Sequence, residues 1–369
     1  MSVFTSYDFQ MMSRAISLAK RGIYTTSPNP NVGCVIAHGD TIVGEGYHAK
    51  AGEPHAEVHA LRMAGEQAKG ATAYVTLEPC SHYGRTPPCA EGLIKAGIRR
   101  VVCAMKDPNP QVAGRGITML SHAGVEVAVG LLEAESRALN PAFLKRMETG
   151  RPLVQLKLAA SLDGQTALAN GASQWITSQQ ARQDVQHYRA QACAILSTSQ
   201  TVIADNASLN VRWHDLPESV QAQYPQDQVR QPARVILDRQ HHLTAQLNLY
   251  QQSGAVFTVS EHDADICVGL DEHHQLSLKA LFDSLANQQQ LNHIWVEAGA
   301  TLARSLLQHQ LVDELIVYLA PKIMGSDGRG LLGALGLIEM HQVMEFDIKD
   351  IRQVGPDIRV ILIPKPINE

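Results

Sequence analysis

The chain has 369 residues, of which 45% are hydrophobic and 18% charged, and its formal net charge is −5. Such a length allows two or three domains, and the composition is that of a folded protein, which excludes disordered and collagen-like chains. The first residues lack the basic and apolar regions of a signal peptide, and no apolar run reaches the roughly 18 residues that span a membrane. The sequence therefore predicts a cytoplasmic protein without a membrane association.

Charge and cysteine content narrow the possible partners. Residues 1–146 hold 15 basic and 12 acidic residues, whereas residues 147–369 hold 16 and 24. Neither part has the strong positive field that nucleic-acid binding needs, so nucleic acid is not an expected partner. The six cysteines are too sparse for a disulfide scaffold and indicate a reducing compartment, where thiols pack in cores or bind metal.

The first part of the chain alternates strand-like and helical segments. Residues 7–21 have apolar positions at helical spacing, and Thr5 and Asp8 are spaced as a capping box. Residues 32–37 and 41–47 flank His38-Gly39-Asp40 and predict a β-hairpin. The further predicted elements are a helix over 55–64, a strand over 71–77, a helix ending at Ala96, a strand over 100–104, a helix over 113–123 and a strand over 125–129. This alternation predicts an α/β domain.

A second domain is predicted after a charged, Gly- and Pro-containing stretch at residues 145–152. We therefore divide the chain into domains over 1–147 and 151–369. Strand-like runs recur in the second domain, with helical patterns between several of them, at 153–158, 192–196, 234–237, 255–259, 292–296 and 314–319. The second domain is thus also predicted to be α/β, and the Gln-rich stretch 215–231 is predicted to be a surface excursion.

The clearest chemical signal is His55-Ala56-Glu57 followed by Cys80 and Cys89. One histidine and two thiolates are three ligands for tetrahedral Zn²⁺, and the fourth position stays open for water, as in catalytic sites. Such an ion lowers the pKa of its water to about 7. Glu57 stands two residues from His55 and is placed to move protons rather than to bind metal.

Alternative interpretations of these residues stay open. Zinc deaminases of nucleobases carry His-x-Glu followed by Pro-Cys-x-x-Cys, whereas eight residues separate Cys80 from Cys89 here. His82 in that loop could replace one ligand, and His59, at helical spacing from His55, is another rival. The two cysteines could also be ordinary buried thiols. We assign structural roles to the remaining four, which are Cys34, Cys103, Cys193 and Cys267.

Several motifs together resemble those of a known family, the bifunctional riboflavin-biosynthesis deaminase/reductases called RibD. They are PNPNVGCV at 28–35, GEPHAE at 52–57, TLEPCSH at 76–82, GRTPPC at 84–89, DPNP at 107–110, KLAASLDG at 157–164, SQWIT at 173–177 and VEAG at 296–299. The similarity runs nearly end to end, and the long loop between the two cysteines is itself a feature of this family.

The resemblance implies a cytidine-deaminase-like three-layer α/β/α domain followed by a dihydrofolate-reductase-like α/β domain. The first would remove the 2-amino group of 2,5-diamino-6-ribosylamino-4(3H)-pyrimidinone 5′-phosphate by zinc-dependent hydrolysis, with Glu57 as the proton carrier. The second would use NADPH to reduce the ribosyl group of the product, so the chain would be both a hydrolase and an oxidoreductase. The deaminase substrate site would be lined by Asn29, His48, Arg85, Asp107 and Asn109.

Without the resemblance, the residues of the second domain predict little about its function. Residues 292–303 predict a strand, a turn and a helix start, and helix N-termini attract phosphates, but the Gly-x-Gly-x-x-Gly pattern of a Rossmann fold is absent. By resemblance, the NADPH contacts would be Ala159, Trp175, Thr201, Asp205, Gly299, Ala300, Thr301, Leu302, Ala303, Arg304 and Ser305. The reductase substrate contacts would be Lys157, Ser173, Arg189, Leu209, Arg212 and Glu297. Arg189 and Arg212 suit a clamp on a 5′-phosphate, because a guanidinium fork matches phosphate oxygens.

Two residues depart from the family pattern. Arg239 stands where a small hydroxyl residue is expected near the cofactor, and Ala300 stands where proline is common. Two further functions compete with the bifunctional enzyme: a deaminase of cytidine, guanine or a tRNA base with a structural second domain, and a zinc-stabilised binding protein without turnover. We expect small-molecule phosphoribosyl pyrimidines as substrates and a homodimer as the assembly.

Overall fold

A computed structural model describes residues 4–81, 83, 87–110 and 112–366 of the chain. It divides between Arg151 and Pro152 into two units, Met1–Arg151 and Pro152–Glu369, each with its own internal contacts. The proposed substrate residue Arg85 and the rival zinc ligand His82 lie outside the described residues.

The first unit contains one five-stranded sheet. Its helices are α1 Ser6–Ala19, α2 Ala56–Ala64, α3 Cys89–Lys95, α4 Arg115–His122, α5 Glu133–Arg137 and α6 Pro141–Thr149. Its strands are β1 Gly33–His38, β2 Thr41–Tyr47, β3 Thr72–Val75, β4 Arg100–Cys103 and β5 Glu126–Val129. The strand order is β2-β1-β3-β4-β5; β1 runs antiparallel to both neighbours, and β3, β4 and β5 are parallel.

Alternating residues of β1 bury against helices on both faces of this sheet. Ile36 belongs to a core with Ala60 of α2 and Leu93 of α3, whereas Val35 belongs to a separate core with Met12 of α1. Such alternation follows from the two-residue period of a strand. The first unit is therefore a three-layer α/β/α sandwich, as predicted. The predicted capping box of α1 is also present, with the N–H of residue 8 donating to Thr5 Oγ1 at 3.2 Å.

The second unit is built on a nine-stranded sheet. Its helices are α7 Gln179–Gln191, α8 Ser199–Asp205, α9 Glu218–Gln221, α10 Leu278–Asn287 and α11 Ala300–Gln308. Its strands are β6 Leu153–Ser161, β7 Gln165–Ala167, β8 Ala194–Thr198, β9 Ala233–Leu237, β10 Val256–Ser260, β11 Ile266–Cys267, β12 His293–Glu297, β13 Glu314–Ala320, β14 Arg329–Gly330, β15 Phe346–Val354 and β16 Asp357–Pro364.

The order in the large sheet is β11-β10-β9-β8-β12-β6-β13-β16-β15, and β7 pairs with β14 in a small separate sheet. The strands from β11 to β13 are parallel to their neighbours, whereas β16 and β15 continue the sheet as an antiparallel hairpin. One face packs on α10 and α11 and the other on α7 and α8. Parallel strands covered on both faces explain the long apolar runs of the sequence.

The stretch 215–231 is mostly exposed, as a surface excursion is, but three apolar residues anchor it. Leu216, Val220 and Tyr224 are buried, and the indole N–H of Trp213 donates to the carbonyl of Tyr224 at 2.7 Å. These three apolar residues recur every four positions, a helical spacing that the many Gln and Pro residues around them obscure. No helix in the described ranges has both the length and the apolar character needed to cross a bilayer.

Candidate active sites

A histidine and two cysteines converge in the first unit. His55 caps the N-terminus of α2, Cys89 is the first residue of α3, and Cys80 lies in the segment that follows β3. His55 Nδ1 is 3.3 Å from Cys89 Sγ and 3.6 Å from Cys80 Sγ, and the three candidate ligand atoms all lie within 4.8 Å of one another. The structure therefore brings together the three residues predicted from the sequence as metal ligands.

The spacing and chemistry of these atoms fit zinc. With Zn–S of about 2.3 Å and Zn–N of about 2.0 Å, tetrahedral ligands stand about 3.5 to 3.8 Å apart. Hydrogen bonds from Cys89 and His55 lower the pKa of the Cys80 thiol to about 4, which favours the thiolate that a metal needs. The hydrogen bond to Cys80 raises the pKa of His55 to about 8, so zinc binding would displace a proton from this ring. His59 is not part of this group in the described residues.

Glu57 is the second residue of α2 and is buried, with only 3% of its surface exposed. Its Oε2 atom makes no hydrogen bond within the part of the chain that the structure describes. Burial disfavours the charged carboxylate and raises the pKa of Glu57. A buried carboxyl oxygen left without a protein partner suits a group that exchanges protons with a bound substrate.

Two of the predicted substrate residues border this group. The His48 ring meets the His55 ring edge-on, with centroids 5.4 Å apart. His48 Nδ1 is 3.2 Å from the carbonyl of Pro54, which can only accept, so Nδ1 carries the proton and Nε2 accepts from Asn29 Nδ2 at 3.2 Å. Burial lowers the pKa of His48, which keeps this ring neutral.

Asp107 and Asn109 lie on the segment after β4. The N–H of residue 109 donates to Asp107 Oδ1 at 2.8 Å, and the N–H of residue 107 donates to Glu78 Oε2 at 3.2 Å. Glu78 stands two residues before Cys80. The segment that carries Asp107 and Asn109 is thus tied to the segment that carries a candidate metal ligand.

A charged pair forms the centre of the candidate site in the second unit. Arg189 of α7 donates from Nε and Nη2 to the two carboxylate oxygens of Glu297 at 2.6 and 2.9 Å, and from Nη1 to the carbonyl of Asn210 at 2.9 Å. Burial opposes ionisation of Glu297, but the charge of Arg189 outweighs it and lowers the pKa of Glu297 to about 2. Lys157 lies beside Glu297 in the pairing of β6 with β12, and burial lowers its pKa.

The other residues predicted to hold substrate in the second unit have more varied surroundings. Leu209 is buried and has a left-handed backbone at φ 48°, and Ser173 is half-buried. The side chain of Arg212 is 48% exposed and donates to Asp215 at 2.5 Å. Arg212 is therefore more accessible to a phosphate than Arg189, whose guanidinium is largely committed to Glu297.

The residues predicted to contact NADPH lie mainly on β6, α8 and α11. Gly299 caps α11 without a side-chain hydrogen bond in the described structure, and the first turn of the helix follows from Ala300. The side chains of Leu302 and Ala303 are buried, so these two residues can offer only backbone atoms to a ligand. Among the remaining residues, four are half-buried, namely Ala159, Thr201, Arg304 and Ser305. Three are exposed, namely Trp175, Asp205 and Thr301.

The structure also shows the surroundings of the two residues that depart from the family pattern. Arg239 follows β9 and donates to Glu261 Oε2 at 3.3 Å and to the carbonyl of residue 274 at 2.7 Å. Ala300 occupies the first position of α11, where proline is tolerated because that N–H has no helical acceptor. Neither substitution interrupts an element of the sheet.

Comparison with known proteins identifies the family. Residues 5–105 match the cytidine and deoxycytidylate deaminase zinc-binding region, and residues 152–360 match the RibD C-terminal domain. The chain belongs to the RibD family. It is 57% identical to the riboflavin biosynthesis protein RibD of Escherichia coli K12 over 96% of this chain and 99% of the relative.

Solved RibD structures agree over both units. RibD of Acinetobacter baumannii matches with a TM-score of 0.90 and 48% identity, over 98% of this chain and 99% of that one. A Thermotoga maritima protein, named as a diaminohydroxyphosphoribosylaminopyrimidine deaminase/5-amino-6-(5-phosphoribosylamino)uracil reductase, matches with a TM-score of 0.83 and 31% identity, over 97% and 99%. The family and fold class predicted from the sequence are confirmed, whereas the roles of individual residues stay predictions.

Sequence reasoning missed three groups that support the sites. Glu78 accepts backbone N–H groups in the first unit, whereas the Trp295 indole and Ser197 hydroxyl donate to the Glu297 carboxylate and carbonyl at 2.8 and 2.6 Å. Trp295 is two residues from Glu297 on one strand, so their side chains share a face. That spacing was the one signal available in the sequence.

Proposed function

We propose that this chain catalyses two consecutive steps of riboflavin biosynthesis. Residues 1–147 would deaminate 2,5-diamino-6-ribosylamino-4(3H)-pyrimidinone 5′-phosphate hydrolytically, and residues 151–369 would reduce the resulting 5-amino-6-(5-phosphoribosylamino)uracil with NADPH to its ribityl form. Family membership supports both steps. The observation that carries the proposal is the buried Glu57 carboxyl, whose Oε2 has no hydrogen-bond partner among the described residues, together with the cluster of His55, Cys80 and Cys89.

In the first unit, His55, Cys80 and Cys89 would hold Zn²⁺, with His55 bound through Nδ1. A bound zinc ion activates water for attack by lowering its pKa. The water oxygen is added to the ring carbon that carries the amine, and the amine leaves as ammonia. Glu57 would take one proton from the water and pass it to the ring nitrogen. It would then take the proton of the hydroxyl added to the ring carbon and pass it to the amine, as the carbonyl forms and ammonia leaves. Its raised pKa suits it to hold that proton between the two transfers.

The neighbouring polar groups would orient the pyrimidine and its ribosyl phosphate. Asn29 and His48 present a hydrogen-bonded pair at the edge of the His55 ring, and the neutral state of His48 avoids a second positive charge beside the metal ligands. Asp107 and Asn109, which are hydrogen-bonded to each other, and Arg85, which lies outside the described residues, are the other members of the proposed substrate set.

In the second unit, NADPH would lie at the carboxyl ends of the parallel strands. This edge is where ligands bind in open α/β sheets, and the uncapped amides of the first turn of α11 suit a cofactor phosphate. Bound NADPH would supply a hydride for the anomeric carbon of the ring-opened ribosyl imine, whose nitrogen would take a proton from solvent. Lys157 and Glu297 would orient the sugar, Arg189 would hold Glu297 in place, and the exposed Arg212 would meet the 5′-phosphate.

We also propose that the protein acts in the cytoplasm as a homodimer. Six cysteines in 369 residues are too sparse for a disulfide scaffold, which suits a reducing compartment. Sedimentation equilibrium of the purified chain tests the assembly, and a monomer at micromolar concentration contradicts it.

The deciding experiment supplies the diaminopyrimidine phosphate with and without NADPH and follows ammonia release and the absorbance of the reduced cofactor. We expect ammonia in both reactions and cofactor oxidation only when both compounds are present. Ammonia without any later oxidation would support the reading as a deaminase with a structural second unit. Absence of both would support a zinc-stabilised binding protein.

A further inference from the structure

Glu78 is a buried carboxylate that the proposed chemistry does not use. Only 4% of its surface is exposed, although it lies two residues before the candidate zinc ligand Cys80. Burying a carboxylate is unfavourable unless hydrogen bonds replace its lost hydration. The bonds that replace it here come from the backbone of one segment, residues 107–117.

Each oxygen of Glu78 accepts two backbone N–H groups. Oε2 accepts from residues 107 and 114 at 3.2 and 2.9 Å, and Oε1 accepts from residues 116 and 117 at 2.9 and 3.3 Å. Residue 114 is the N-cap of α4, and 116 and 117 belong to its first turn. The Glu78 carboxylate therefore holds both the backbone of Asp107 and the start of α4 in place.

Close packing adds a second constraint on the same segment. A Cβ atom at Gly116 would lie 2.0 Å from the carbonyl oxygen of Pro79. Glycine is therefore required for the start of α4 to pack this closely against the Pro79 backbone. Pro79 is the residue between Glu78 and Cys80. Residues 107, 114, 116 and 117 thus contact Glu78 or Pro79, the two residues that precede the candidate metal ligand Cys80.

We propose that Glu78 is a positioning residue for the deaminase, which sets the place of Asp107 and Asn109 relative to the metal-binding cluster. This inference rests on the proposed deaminase function. Asn109 depends on Glu78 indirectly, because its N–H is bonded to the Asp107 carboxylate, and the N–H of Asp107 is bonded to Glu78. Glu78 acts on substrate binding through these two residues and touches neither substrate nor metal.

The test is Glu78→Gln in the full-length chain. Glutamine offers one acceptor oxygen, and its NH2 group turns two of the four hydrogen bonds into contacts between donors. We expect the KM for deamination to rise about tenfold or more, with a smaller change in kcat, an unchanged zinc content and an unchanged reductase kcat/KM. The backbone amides of residues 114, 116 and 117 should exchange with solvent faster. Glu66→Gln, the same change at an exposed acid of the first unit, should alter none of these values.

An unchanged KM and unchanged amide exchange in Glu78→Gln overturn the inference. So does loss of zinc together with a fall in kcat alone, because that result assigns Glu78 to the metal site. If the glutamine variant does not fold, Glu78→Asp is measured instead. Aspartate keeps the negative charge, but its shorter side chain moves the carboxylate away from the four backbone amides. An unchanged KM for deamination in Glu78→Asp also overturns the inference. Absence of ammonia release by the unaltered protein would instead refute the deaminase function itself.

Discussion

The ion pair between Arg189 and Glu297 should make the stability of the second unit depend on pH. Glu297 has its pKa lowered from the ordinary value of 4.5 to about 2, through Arg189 and despite burial. A depressed pKa means that the folded state favours the ionised carboxylate. The contribution to stability is therefore complete above about pH 5 and is lost as the pH falls toward 2.

The size of this contribution follows from the shift. Each pKa unit corresponds to about 1.36 kcal/mol, so the change from 4.5 to about 2 gives about 3 kcal/mol at neutral pH. About 2 kcal/mol of this is lost by pH 3, because the unfolded chain is then protonated at this position. Side-chain exposures of 10% for Arg189 and 15% for Glu297 leave little solvent screening to reduce it.

Glu297→Gln isolates this contribution. The free energy of unfolding is measured in urea from pH 7 to pH 3 by tryptophan fluorescence, which reports on the second unit because Trp175, Trp213 and Trp295 all lie there. We expect the difference between unaltered protein and variant to shrink by about 2 kcal/mol over this range. Other carboxylates titrate in the same range, but they cancel in the difference.

A matched control is Glu272→Gln, since the Glu272 side chain is 85% exposed in the same unit. Its difference from the unaltered protein should stay flat with pH. The reasoning about Glu297 is refuted if its own difference is equally flat. That outcome would mean that the carboxylate has an ordinary pKa and that the pair with Arg189 does not form in solution.

Three further predictions concern the two activities. Glu57→Gln should keep zinc but lose deamination by about 10² to 10⁴-fold, while reduction of supplied deaminated intermediate persists; unchanged ammonia release would remove Glu57 from its role. A chelator that strips zinc should abolish deamination and leave cofactor oxidation intact, which parallel assays of the treated protein check. Arg212→Ala should raise the reductase KM for the phosphorylated substrate and leave that for the dephosphorylated substrate unchanged; equal losses for both would contradict phosphate recognition.

The convergence of His55, Cys80 and Cys89 in the candidate deaminase site was predictable because the motifs that carry them are local. His55 and Cys89 stand at helix starts. Residues that are one or two positions apart, such as Pro79 and Cys80 or His55 and Glu57, are necessarily close in space, so these short motifs can be recognised without the fold. The role of Glu78 was not predictable, since its partners are backbone amides of residues 29 to 39 positions away. Backbone amides are present at almost every position and leave no signature in a sequence.

The C-terminal hairpin of β15 and β16 shows a different limit. The pairing of these strands shifts between Ile348 and Asp350, where a bulge interrupts the two-residue alternation. The side chain of Ile348 is 64% exposed, so apolar residues here do not mark the buried face. A strand of nine residues was therefore missed although its hydrogen bonding is regular on both sides of the bulge.

The reductase site depends on contacts that only the fold provides. Arg189 and Glu297 are 108 positions apart, and the structure joins them because α7 packs over the sheet that contains β12. In a sequence, an arginine suited to grip a phosphate is indistinguishable from one that neutralises a buried carboxylate. The distances favour Arg212 for the phosphate, because three N–H groups of Arg189 already have protein acceptors whereas Arg212 makes its side-chain contact at the surface; both roles stay predictions.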